Sequence, residues 1–111
     1  MSTEYLTENL IAGPCNTQQV KFAADTYYRG MPLEYDADND RYQYYGTSTS
    51  IIAGIFLEDE SRAISANGYG SIIKGGEVYE GGIVDDSGDA YTITEDIIDA
   101  WAKLGIYIKR T

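Results

Sequence analysis

The sequence predicts a mainly β fold, a small barrel- or sandwich-like domain of short strands with one short C-terminal helix. Three observations carry that expectation. Apolar residues alternate with others over short stretches, as in Val20, Phe22 and Ala24. The 111 residues include 11 tyrosines, which favour strands, and 12 glycines, which permit bends. Only one stretch, ITEDIIDAWAKLG at positions 93–105, has helical periodicity.

The elements follow in chain order. Residues 1–19 hold scattered Leu and Ile and the pair Gly13-Pro14 without a sustained period, so they are expected to form a flexible arm ahead of a single domain at 20–111. A strand is expected from Val20 to about Tyr28, and Gly30 bends the chain. MPLEY and RYQYY, joined by the acidic turn DADNDR, form a hairpin over 31–45. IIAGIFLED, from position 51, is the most apolar segment. Alternation puts Ile51, Ala53, Ile55 and Leu57 on one face, Ile52 and Phe56 on the other. Such a strand needs cover on both faces, from the domain itself or from another subunit.

RAIS at 62–65 begins another strand. In GYGSIIKGGEVY, Gly68 and Gly70 bracket Tyr69, SIIK is a short strand, and Gly75-Gly76 turns into EVY before Gly81-Gly82. Thr92-x-x-Glu95 matches a capping box at the start of the helix. Ile97, Trp101 and Leu104 share its inner face, extended by Ile98, and Gly105 ends it. IYIKR then closes the domain as a last strand.

Charge and composition exclude several functions. Eight basic residues against 18 acidic ones give a net charge of −10, which repels phosphate backbones and anionic lipid, so neither nucleic acid nor membrane is expected as a partner. Histidine is absent and Cys15 is the sole cysteine. That removes intrachain disulfides, CxxC pairs and every His-based nucleophile arrangement. The N-terminal sequence has acidic residues where an export signal wants basic ones, so a soluble protein made without general secretory export is expected.

The motifs that resemble chemical sites are weak. Gly70 and Gly75 have the spacing of a P-loop, but position 76 is Gly instead of Lys, and glycines for bends are preferred to phosphate binding. Asp36, Asp38 and Asp40 imitate the first positions of a calcium loop. Arg41 and Thr47 stand where Gly and Glu would be required, leaving a solvated turn ahead of a looser cation site. Asp85, Asp86 and Asp89 form a second acidic loop of the same kind. Tyrosines in YYR and RYQYY suit sheet packing or a protein interface better than sugar. No catalytic residue, metal site or cofactor is expected, and the chain is not expected to be an enzyme.

RGMPLEYDADNDRYQYY, IIAGIFLEDES, SIIKGGEVYEGG and LGIYIK, in that order, resemble the small head decoration proteins of tailed bacteriophages, the lambda head protein D type. The resemblance covers about residues 25–110, and related head-fibre base domains share much of it. It implies a homotrimer that sits at three-fold or quasi-three-fold sites of the expanded head and cements it, with the phage's major capsid protein as partner and the outer surface of the virion as location. Lys74-Gly75-Gly76-Glu77-Val78-Tyr79 looks like the family's glycine hairpin. By the same resemblance, residues Tyr5, Leu6, Leu10 and Ile11 would be arm contacts to the capsid, and Ile52, Phe56 and Trp101 would lie at the trimer interface. The alternative is a head-fibre or host-receptor or glycan-binding virion module.

Overall fold

The computed structural model describes residues 10–46, 51–58 and 61–110. Its strands are β1 (Ile11–Lys21), β2 (Asp25–Tyr27), β3 (Pro32–Asp36), β4 (Arg41–Tyr44), β5 (Ile52–Phe56), β6 (Arg62–Ile64), β7 (Tyr69–Tyr79) and β8 (Ile106–Lys109), with one helix, α1 (Glu95–Ala102). The protein is mainly β with a single short helix near its C-terminus, as the sequence predicts. The main sheet runs β1-β7-β5-β3-β4, with β8 added to β7, and β2 pairs with β6 in a separate ribbon.

The long strand β7 organises the sheet. One edge pairs with β1 along almost its whole length. The other takes β5 at Ile72 and Ile73, then β8, in parallel, from Gly76 to Tyr79. The sheet curls far enough that Phe22, just past β1, meets Tyr42 of β4 in an isolated bridge, and the Ala23 amide donates to the Tyr42 carbonyl at 2.8 Å. No ladder joins β1 to β4, so the sheet is not closed into a barrel.

Two expectations change here. In the stretch GYGSIIKGGEVY, everything after Gly68 is one continuous 11-residue strand, not two short strands around a Gly-Gly turn. Pairing with β1 holds the glycines extended, and the misfit is absorbed by a bulge: Asn16 faces Gly75 and Thr17 faces Ile73, leaving Lys74 over. At Gly76, φ is +133° and an added Cβ would lie 2.4 Å from the Pro14 carbonyl oxygen, so β1 passes too close for any side chain. The expected arm is also shortened, because residues 11–19 belong to β1.

A second bulge sits in β5. Leu33 faces Gly54 and Glu34 faces Ile52, leaving Ala53 unpaired. Strict alternation would set Ile52 opposite Ile55. The extra residue instead sends both into one apolar cluster, with Leu10, Ile73, Val78, Ile83, Ile93, Trp101 and Ile106, while Phe56 enters a second with Phe22, Tyr27, Met31, Leu33 and Ile72. The chain thus covers both faces of β5 itself. Burying each large apolar side chain contributes roughly 1.5–3 kcal/mol, so the two clusters are the main source of stability.

The helix starts later than the capping-box match implies. Thr94 is its N-cap, extended at φ −115° and ψ 166°, and its hydroxyl accepts from the Ile97 amide at 3.3 Å. The preceding Ile93 is buried in the first cluster, while Thr92 is exposed and makes no part of the cap. Trp101 is the helix's buried anchor, Ile97 and Ile98 pack partly, and Leu104 is exposed beyond the last turn. Gly105, at φ +89°, reverses the chain into β8.

Candidate functional site

The residues expected to meet partners are distributed differently from that expectation. Tyr5 and Leu6 lie outside the described residues. Leu10 is fully buried, and its carbonyl accepts from the Tyr79 amide at 2.7 Å. Ile11 is half-buried at the start of β1. Ile52, Phe56 and Trp101 are 3%, 0% and 1% exposed, so the protomer's own core holds the three side chains that the resemblance puts at the trimer interface. Large apolar side chains left outside include Ile51, Leu104 and Tyr107.

Beyond the bridge at Phe22, no strand among the described residues pairs with the outer edge of β1. Its residues 16–19, NTQQ, are exposed. Such an edge offers main-chain donors and acceptors to another strand, while polar side chains keep it from pairing indiscriminately.

Two of the grooves formed by the described residues flank the sheet. The smaller, about 360 Å³, lies at the seam between the sheet's ends and is lined by Gln18, Gln19, Lys21, Tyr35, Asp40 and Tyr42 among others. Its polar groups are largely spent on one another. The Tyr35 hydroxyl donates to Asp40 at 2.5 Å, Lys21 stands 3.7 Å from the same carboxylate, and Lys74 donates to the Tyr42 hydroxyl at 2.8 Å. The hydrogen bond to Asp40 pushes the Tyr35 hydroxyl's pKa up; with help from Lys21 it holds the Asp40 carboxyl below the usual range.

The larger groove, about 500 Å³, is lined by Tyr45, Gly46, Tyr91, Asp96, Ile97, Ala100 and Trp101. Its aromatic walls are fixed by the backbone: the Tyr45 amide donates to the Pro32 carbonyl at 2.9 Å and the Tyr91 amide to the Ile83 carbonyl at 3.0 Å. The Tyr45 ring stands 6.1 Å from Trp101 at 82°, and the Tyr91 ring 6.2 Å at 47°. Burial, then the nearby Tyr45, pushes the Tyr91 hydroxyl's pKa up. The buried Trp101 Nε1–H has no hydrogen-bond partner, and neither has Glu34 Oε1 nor Arg41 Nε among the described buried atoms. This groove escapes sequence reasoning because its walls come from 45–46, 91 and 96–101, and no sequence spacing joins the helical face of Ile97 and Trp101 to the tyrosines.

In each acidic loop the leading carboxylate is spent locally. Asp36 accepts from Asn39 Nδ2 at 2.8 Å and from the Asp38 amide at 3.2 Å, which lowers its pKa below the usual carboxylate range. Asp85 Oδ1 accepts from the amides of Ser87 and Asp89, at 2.9 and 3.0 Å. Both are side-chain-stabilised turns. No group of three or more potential metal ligands occurs among the described residues.

The full sequence matches no protein-family model, and no curated protein matches it.

Proposed function

We propose that this chain is a structural decoration protein of a phage head, binding as a homotrimer at three-fold or quasi-three-fold sites of the expanded capsid and strengthening it against internal pressure. The observation that supports this best is the outer edge of β1: an exposed, polar run at 16–19, in the strand that directly continues the N-terminal sequence. In this proposal Leu10, tied to Tyr79, is the fixed point from which a capsid-binding arm departs, with Tyr5 and Leu6 as its contacts. Added to a strand of the major capsid protein, the arm would gain affinity from main-chain hydrogen bonds and register from its side chains.

Three arms joined in one trimer would gain further from multivalency, and threefold closure would stop the assembly from growing into fibres. The trimer contact would draw on side chains the fold leaves outside, such as Ile51, Leu104 and Tyr107. Such a role needs no catalytic residue and no cofactor.

Co-sedimentation with expanded, undecorated shells of the same phage tests the proposal. Saturation at three copies per threefold site is the expected result. Failure to bind competent shells overturns it in favour of a fibre-base or receptor-binding virion module.

A further inference from the structure

The groove beside Trp101 carries an inference that does not depend on the capsid proposal. Among the described residues its walls combine two tyrosine rings, one indole, a small patch formed by Gly46, Ile97 and Ala100, and a single charged group, Asp96. The helix around it leaves the neighbourhood negative. Lys103 is 3.6 Å from Asp99, and Arg110 is 2.9 Å from Glu80 and also bonds Glu95, so these cations are engaged away from the groove. Asp85 and Asp86 act electrostatically on Tyr44, which in turn feels Tyr91.

Two needs of the site point to one chemistry. The buried Trp101 Nε1–H lacks an acceptor, an unfavourable state wherever it persists. A backbone carbonyl of a bound peptide is a suitable acceptor. The electron-rich ring faces of Tyr45 and Tyr91, next to the Asp96 carboxylate, favour a cation that is planar and weakly hydrated. An arginine side chain meets that description: its guanidinium stacks on tyrosine and forks onto a carboxylate.

We propose that the Tyr45–Tyr91–Asp96–Trp101 groove is a docking site for a basic peptide segment of a partner protein, with an arginine side chain against the tyrosines and Asp96 and a main-chain carbonyl on the indole N–H. Charge complementarity selects this occupant. A net charge of −10 with a lone carboxylate in the groove disfavours acidic segments from a distance and at contact.

The chain has one tryptophan, so its indole N–H gives a single, unambiguous NMR cross-peak for the test. The full chain is titrated with Ac-Gly-Arg-Gly-NH2, Ac-Gly-Glu-Gly-NH2 and methyl glucoside, each up to about 10 mM, the concentration range of weak millimolar binding. The arginine peptide is expected to move the cross-peak downfield, saturably, and the glutamate peptide and the sugar to leave it in place. Asp96→Asn should weaken the arginine peptide about fivefold, with added salt weakening it further. Asp99→Asn, a change on the same helix but outside the groove, should leave the affinity unaltered.

Folding of each variant is checked from the remaining amide cross-peaks. The proposal is overturned if no probe moves the indole signal, if the arginine and glutamate peptides act alike, if the sugar alone binds, or if the two aspartate variants behave the same.

Discussion

Gly30 and Gly82 meet backbone to backbone: a Cβ added to Gly30 would sit 1.8 Å from the Gly82 carbonyl oxygen, and Gly30 itself has φ +91°. The same residue donates its amide to the Phe56 carbonyl at 2.9 Å and accepts from the Val84 amide at 3.1 Å. One residue thereby ties the end of β5 to the segment that leads towards the helix. No side chain fits there, and no L residue adopts that φ without strain.

Gly30→Ala should therefore lose at least about 3 kcal/mol, combining left-handed strain with a clash that only backbone movement relieves. Urea unfolding of the variant checks this. Gly81→Ala is the control, because an added Cβ there meets nothing within 4 Å and should cost little. Equal losses in the two variants would contradict the close approach.

The place of Phe56 in the core makes a different prediction from a place at an interface. It is fully buried, with ring contacts to Phe22 at 5.6 Å and to Tyr27 at 5.7 Å. Phe56→Ala should destabilise by about 3–5 kcal/mol, and the shift in melting temperature should be the same across a wide range of protein concentration. A shift that shrinks on dilution would return Phe56 to a subunit contact.

The two threonines ahead of α1 separate the expected cap from the observed one. Thr94→Ala removes the hydroxyl that accepts from Ile97 and should cost about 1 kcal/mol. Thr92→Ala should fall within about 0.5 kcal/mol of the parent, as an exposed change away from any cap usually does. Denaturant midpoints of both variants decide between the two positions.

Alkaline pH should act through Tyr27. Burial, with Asp25 adding to it, pushes this hydroxyl from an ordinary 10.0 up to about 12, and the group donates to the Ala23 carbonyl at 2.7 Å. The folded state thus keeps a proton that the unfolded chain gives up. The resulting stabilisation is complete below pH 10 and is lost as pH rises through about 12. Unfolding free energies measured from about pH 8 to 11.5 should fall more steeply for the parent than for Tyr27→Phe, although the variant starts about 1 kcal/mol lower for want of the hydrogen bond. Parallel profiles would remove Tyr27 from the cause.

The local patterns in the chain account for much of the fold. Alternation and turn chemistry mark the hairpin, where Leu33 pairs with Tyr44 and Asp36 with Arg41 as the acidic turn requires. Helical spacing marks Trp101 as an anchor, and Gly105 as the stop, because both signals span only a few residues. The candidate groove was legible only at its helical wall, Ile97 and Trp101. Tyr45 and Tyr91 lie far apart in sequence, and no periodicity connects residues that meet only after the sheet has curled.

By itself, then, the sequence determined the fold class, the hairpin, the helix and the acidic surface, each being a matter of composition or of neighbours a few positions apart. Tertiary structure decided that residues 11–19 are strand, that β7 runs unbroken through Gly75 and Gly76, and that Ile52 shares a cluster with Ile55. Those outcomes depend on which distant strand supplies the hydrogen bonds. β1 and β7, paired from Lys21–Tyr69 at one end to Ile11–Val78 at the other, hold each other extended where neither segment has a strong local reason to be. The bulges at Ala53 and Lys74 follow from the same long-range register, which shifts the parity of every side chain beyond them.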